Sequence, residues 1–322
     1  MITALVYRDN KFSAVNPAPE LFAALRTEPG ALLWVDLTAP TDDEIKLVLE
    51  NTFQFHPLAI EDCVTDSPLP KIEDFDDYLL LVTHGVDSAT GPGFTTTELD
   101  LLLGRNYLVT FHRQPLRPVQ MIFDRYARPG ITVRGPDRIA HALLDQLVEA
   151  YKPTLHALQH ELDELETAAL QNLVAHELFP RVVALRKKFS ALRQIVRPQR
   201  EVAAELAQGK TKLIRALILP YLRDLAEELT RIEAQTAAWG DQLILSFRVY
   251  LNKSSHEANE GIRVLTAITA LTIPVLMVGG WYGMNYEHMP ELPWQLGYPL
   301  AAGLTLGGTL AMLWFMRKKK WI

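Results

Sequence analysis

Near its C-terminal end the chain reads WYGMNYEHMPEL (281–292), and at the centre of that stretch stand Tyr282, Gly283, Met284 and Asn285. None of the four carries a charge or a nucleophile. Covalent and acid–base chemistry are therefore ruled out here. What remains open is why a Gly-Met-Asn stands where most turns would use plain Gly, Asp or Ser. A second set lies upstream at helical spacing. Stepping by three or four from Asn259 meets Ile262, Thr266, Thr269, Ile273, Leu276 and Gly280 in one direction, and His256, Asn252 and Arg248 in the other. The polar stripe of Asn252, His256 and Asn259 thus continues into Thr266 and Thr269. A third set is His156 and His160, four apart on a helix, a spacing that suits a transition metal and equally suits two surface histidines. No nucleophile–base pair or metal triad stands out, and HELDELE (160–166) reads as a solvated acidic helix face.

The elements that must position the first two sets are apolar. Residues 264–281, VLTAITALTIPVLMVGGW, contain no charge and are long enough to cross a bilayer as a helix. Residues 298–316, YPLAAGLTLGGTLAMLWFM, are likewise uncharged. Lipid has no use for a polar stripe, so Thr266 and Thr269 are expected to face a bundle interior or water. The competing reading is that these hydroxyls bond their own backbone carbonyls. RKKKW ends the second run, Arg263 precedes the first, and the loop between them holds Glu287 and Glu291 but no Lys or Arg. The positive-inside rule then places both termini in the cytoplasm and the loop outside. The lone cysteine, Cys63, and the absence of a basic-then-apolar leader at the N-terminus agree with that expectation. A formal charge of -6, with no basic stripe, argues against nucleic acid as a partner.

Before the spans the chain reads as α+β. Strands are predicted at Ile2–Arg8, 31–37, 76–86, 96–104 and 106–112, and a capping box at Thr41 and Glu44 opens a helix. From Pro136 a long helix is predicted, bent at Pro153, then a second over 177–207, and a third from Lys212, with Gly209 between the last two. The expected organisation is an α/β domain over 1–135, long helices over 136–211, a stalk over 212–261, a first span over 262–282, a loop over 283–297, a second span over 298–316 and a basic tail over 317–322. A helix running from Lys212 to Tyr282 needs partners, and packing of identical chains around an axis supplies them. Each chain would then place its first span at the axis, with Gly-Met-Asn at the outer mouth of the path.

These residues resemble the CorA family of divalent-cation channels. YGMN followed by MPEL, the two terminal spans and the basic tail carry the resemblance, together with HPLAIEDC (56–63), PKIEDFDDYLLLV (70–82) and NEGIRVLT (259–266). It extends over essentially the whole chain. It implies a homopentamer in the plasma (inner) membrane that takes up Mg²⁺, and also Co²⁺ or Ni²⁺, down the membrane potential, with no organic cofactor and no enzymatic step. Under that resemblance the Gly-Met-Asn acquires a purpose. Mg²⁺ gives up water reluctantly, so a mouth of Asn285 amides and backbone carbonyls would hydrogen-bond the hydrated ion, and Glu287 and Glu291 would concentrate cations near it. The resemblance further implies that intracellular Mg²⁺ bound between Asp87 of one subunit and Asp224 of the next holds the pore shut.

The sequence departs from the family at Arg248, where an Asp ring is common, and at Ile262, Ile273 and Leu276, where Met or Thr is common. Two other readings stand beside this one: a zinc transporter of the same superfamily, with or without proton coupling, in which His256 on the stripe would form a ring sensitive to pH or to Zn²⁺, and a membrane-tethered sensor without transport.

Overall fold

Strands rich in leucine and valine at successive positions belong in a sheet covered on both faces. In the computed structural model Ile2–Arg8 (β1), Lys11–Val15 (β2), Ala31–Thr38 (β3), Lys71–Asp74 (β4), Tyr78–Asp87 (β5), Thr95–Gly104 (β6) and Tyr107–His112 (β7) form one seven-stranded sheet in the order β2-β1-β3-β7-β6-β5-β4. β3 and β7 run parallel, and the other neighbours are antiparallel. The structure describes the chain apart from residues 88–92, 129, 172–174, 285–288, 290–292, 320 and 322, and describes only the backbone at 87 and 175–177.

The helices are Phe22–Thr27 (α1), Asp42–Ile45 (α2), Pro57–Val64 (α3), Arg117–Tyr126 (α4), Pro136–Glu149 (α5), Tyr151–Leu170 (α6), Ala175–Leu206 (α7), Leu219–Tyr282 (α8) and Gly297–Lys318 (α9). α2 runs on into a wider π-helical turn at Lys46–Thr52. On one sheet face Val35, Leu80, Val82, Leu102 and Val109 meet Phe22 of α1, Leu49 and Phe53 after α2, and Ala59 and Cys63 of α3. On the other face Leu81 and Leu103 meet Ala140 and Leu144 of α5, Leu206 of α7 and Leu222 of α8. The residues divide into two compact units, Met1–Ser246 and Phe247–Ile322.

The five expected strands are present, and two short ones join them at the sheet edges. β2 and β4 are five and four residues long and expose alternate or partly buried side chains, which limits pairing with another chain. The capping box forms as expected: Glu44 N–H donates to Thr41 Oγ1 at 3.3 Å and Thr41 N–H to Glu44 Oε2 at 2.9 Å. The break expected at Pro153 falls earlier, at Ala150. Pro153 sits in the first turn of α6, where a backbone N–H would have no helical acceptor anyway.

α8 starts at Leu219 rather than Lys212, because the connector before it is held by another element. Gly209 takes φ +66° in that connector, a left-handed value that favours glycine. Arg215 Nε donates to Asp137 Oδ2 at 2.8 Å and its backbone N–H to the same oxygen at 3.0 Å, while Nη1 reaches the Arg134 carbonyl at 2.8 Å. Asp137 opens α5 and is 3% exposed. This charge-assisted fork fastens residues 207–218 to the start of α5 and precludes helix there.

Candidate ion path and regulatory carboxylates

α8 has 64 residues, or about 96 Å at the usual rise. Its best 18-residue window has a mean hydropathy of 1.9, and that of α9 1.4, with only 6% of either window buried. A buried hairpin of a soluble protein would show the opposite burial, so these helices present apolar surface that water does not satisfy.

Along α8 the side chains of Asn252, His256, Asn259, Ile262, Thr266, Thr269, Ile273 and Leu276 are all exposed, as is Gly280. The two threonines satisfy their own protons. Thr266 Oγ1 donates to Ile262 O at 2.7 Å and Thr269 Oγ1 to Leu265 O at 2.9 Å. Thr272, which the stripe leaves out, does the same toward Thr269 O at 2.8 Å. The back-bonding weighed against the stripe is therefore present, but it does not remove the threonines as contacts. With its hydrogen committed to the helix, each hydroxyl oxygen turns outward as an acceptor, and the waters around a cation are donors. Arg248 is exposed and makes no ion pair among the described residues, whereas Arg263 is 3.3 Å from Glu260.

Gly308 of α9 packs against Pro274 of α8. A Cβ placed on Gly308 would lie 3.0 Å from Pro274 Cβ. Pro274 has no N–H, so the Ala270 carbonyl one turn before it loses its usual helical donor. A small residue opposite the proline ring lets the helices approach, as small residues do in membrane bundles. Sequence reading missed this contact; the Gly307-Gly308 pair inside an apolar run was the signal for it.

At the end of α8, Tyr282 is half-buried and Gly283 and Met284 are exposed. Gly283 N–H donates to Gly279 O at 2.9 Å, and a Cβ on Gly283 would stand 2.8 Å from that same carbonyl oxygen. Glycine is thus required by the turn that closes the helix. Asn285, Glu287 and Glu291 lie outside the described residues.

Asp87 ends β5, with Thr95 as its register partner on β6. Asp224 is exposed, one turn beyond Tyr221 of α8. Arg138 lies over the Tyr221 ring at 4.8 Å and His141 meets it edge-on at 5.5 Å. Burial holds His141 below the ordinary imidazole value, against the pull of Asp145 and Asp224. Only the backbone of Asp87 is described, so the expected pairing of Asp87 with Asp224 of a neighbouring chain remains a proposal. His156 and His160 are both exposed, and His160 Nδ1 lies 3.7 Å from Glu164. Among the described residues no group of three His, Cys, Asp or Glu is placed to hold a metal.

A family model described as CorA-like Mg2+ transporter protein matches residues 29–318. YfjQ of Bacillus subtilis, a protein named for metal ion transport, is 32% identical over 89% of this chain and 89% of its own length. The cobalt/magnesium transport protein CorA of Thermotoga maritima is 29% identical over 90% of this chain and 83% of its own. The complete CorA magnesium transporter of Methanocaldococcus jannaschii superposes with a TM-score of 0.79 at 19% identity, covering 99% of this chain and 98% of that one. At that identity the superposition speaks for the fold: an N-terminal α/β region, a long helix and two apolar C-terminal helices.

Proposed function

The chain belongs to the CorA-like Mg2+ transporter family, and on that footing we propose that it is a homopentameric channel for Mg²⁺, and for Co²⁺ or Ni²⁺, gated by intracellular Mg²⁺. It is a membrane transporter for divalent metal cations and not an enzyme. The observation that carries the finer reading is the uncharged polar stripe of α8, which continues through Thr266 and Thr269 toward a turn that only glycine fits at 283.

A path lined in this way favours an ion that keeps its water. Mg²⁺ demands octahedral oxygen geometry and dehydrates reluctantly. Carboxylates along the path would strip or trap it, whereas neutral oxygens accept hydrogen bonds from its water shell. Five copies of Thr266, Thr269 and Asn285 around an axis would form rings of such acceptors. Glu287 and Glu291 would raise the cation concentration at the mouth. The membrane potential supplies about 4.6 kcal/mol per ~100 mV for a divalent ion, twice the single-charge value. Apolar rings of Ile262, Ile273 and Leu276 would close the path when dry. In this reading both termini are cytoplasmic, the Gly-Met-Asn loop is outside, and Mg²⁺ between Asp87 and Asp224 of adjacent subunits holds the closed state.

The test is ion flux into proteoliposomes, comparing Mg²⁺, Co²⁺, Ni²⁺ and Zn²⁺ under an inside-negative potential. Potential-driven Mg²⁺ entry is expected. Entry of Zn²⁺ alone, driven by a proton gradient, would replace this reading with that of a zinc transporter.

A further inference from the structure

One side of the sheet buries polar atoms that have no donor or acceptor. They are Glu98 Oε1 and Asp100 Oδ1 on β6, and His84 Nδ1 on β5. His84 and Glu98 are directly opposed across the antiparallel pair, and Asp100 follows two residues along the same face. Asp100 is 1% exposed and His84 5%. All three line one cavity of about 370 Å³, together with Asp66 and Arg113.

Two of the surrounding donors are already committed. Ser67 N–H reaches the other Glu98 oxygen, Oε2, at 2.7 Å, and the Ser67 carbonyl faces His84 Nε2 at 3.0 Å. Arg113 is paired with Asp66 and donates to the Cys63 carbonyl at 3.1 Å. Glu98 and Asp100 stand two apart on one strand face and line the same cavity, each with a buried oxygen that no donor reaches among the described residues. Two ionised carboxylates are acceptors only and cannot satisfy one another, whereas a proton on either gives the pair a donor.

We propose that Glu98 and Asp100 hold one proton between them, forming a buried proton-binding site in the N-terminal unit, apart from the ion path and from Asp87 and Asp224. Of the groups that face the pair, Arg113 and the Ser67 N–H favour ionisation, but Arg113 is shared with Asp66, and burial outweighs both. From α3 come Asp62, which is tied to Lys71 at 2.7 Å, and the Cys63 thiol. Asp66 comes from the loop after α3, His84 from β5, and His112 and Arg113 from the end of β7. Burial, then the neighbouring Glu98, pushes Asp100 well above the carboxylate range, and burial raises Glu98 too. Burial lowers His84, so this imidazole supplies no compensating charge. A metal ion is the other way to satisfy facing carboxylates, but among the described residues no third His, Cys, Asp or Glu is placed with these two to hold one.

The folded chain holds the proton more tightly than an unfolded chain would. The pair therefore stabilises the fold fully below the ordinary carboxylate pKa, and that stabilisation is lost as pH rises through the raised value. Asp100→Asn supplies a permanent N–H donor to Glu98, and Glu98→Gln supplies one to Asp100.

The experiment is thermal unfolding of the full-length protein in detergent from about pH 6 to about pH 9, for wild type and both variants. Infrared spectra at neutral pH would look for the carbonyl band of a protonated carboxyl. Wild type should lose about 3 °C or more across that range beyond any loss in the variants, and its protonated-carboxyl band should vanish in Asp100→Asn. Parallel pH profiles for all three proteins would overturn the proposal. So would a wild-type spectrum without the band, which decides the matter even if neither variant folds. Stabilisation by Mg²⁺ or Co²⁺ that either variant abolishes would replace the proton with a metal ion.

Discussion

Leucine serves two opposite purposes in the two units of this chain. In Met1–Ser246, Leu81, Leu101 and Leu103 are at most 1% exposed, and in Phe247–Ile322, Leu276 is 69% and Met277 71% exposed. The first unit satisfies its apolar surface internally, with a sheet covered on both faces. The second leaves that surface open to lipid and, in the proposed pentamer, to further copies of the chain. Stability of the first is accordingly a property of one chain, whereas that of the second depends on its surroundings in the bilayer.

The contrast is sharpest at the anchor of the connector before α8. Arg215→Ala would leave Asp137, 3% exposed, as an uncompensated buried charge. Breaking such a pair costs about 3–5 kcal/mol, and thermal unfolding of the N-terminal unit should move down accordingly. An unchanged transition would show that the unit does not depend on its own internal fastening. The next effect compares one residue type in both places. Leu101→Ala should cost about 2–5 kcal/mol, whereas Leu276→Ala should leave the same transition within about 0.5 kcal/mol. Equal losses would mean that the exposed leucines are part of one continuous core, and the division into two units would fail.

At the end of α8 the readout changes from stability to flux. Gly283→Ala forces a Cβ to within 2.8 Å of Gly279 O, so the turn must shift. Asn285→Ala deletes an amide oxygen proposed to accept from the hydrated ion. Each should lower Mg²⁺ flux at least ~10-fold, about 1.4 kcal/mol on entry, with the oligomer intact. Normal flux in either variant would remove that residue from the mouth. A smaller effect is expected at Asp224. Asp224→Lys places a fixed cation where Mg²⁺ is proposed to bind, so limited proteolysis should become less dependent on Mg²⁺, while Asp224→Asn should stay weakly protected in millimolar Mg²⁺. Identical Mg²⁺ titrations for wild type and both variants would place the sensor elsewhere or nowhere.

What the sequence made legible follows the same contrast. The inner strands and both apolar helices are readable because an uninterrupted apolar run has few alternatives. β2 and β4 are not, since an edge strand buries too little to leave a pattern. Residues 212–218, KLIRALI, contain good helix formers, and they are kept out of α8 by the distant partner Asp137 together with Pro220, which suits only a first helical turn. In TTELDLLLG the alternation places Glu98 and Asp100 on a face that looks solvent-bound, yet α3 and the loop after it cover that face. Of the proposed ion path, the place of the stripe residues on one continuous helix and the close backbone approach at Gly283 were legible. The direction of the threonine hydrogens was not, because it depends on backbone carbonyls rather than on residue type.

The smallest expected effect tests whether the outer loop acts on ions at a distance. If Glu287 and Glu291 concentrate cations without binding them, their influence is a potential at the mouth and not a contact. Salt screens such a potential, with a Debye length of about 30 Å at ~0.01 M and about 8 Å at ~0.15 M. Glu287→Gln with Glu291→Gln should therefore reduce initial Mg²⁺ flux about 2- to 3-fold at low ionic strength, and the difference should fade as salt is raised. The double variant should saturate at a higher Mg²⁺ concentration but reach the same maximal flux. A reduction that persists in high salt, or a lower maximum at saturation, would mean that one of these carboxylates touches the ion. The mouth would then select by direct coordination, contrary to the neutral, water-bridged path proposed from Thr266, Thr269 and Asn285.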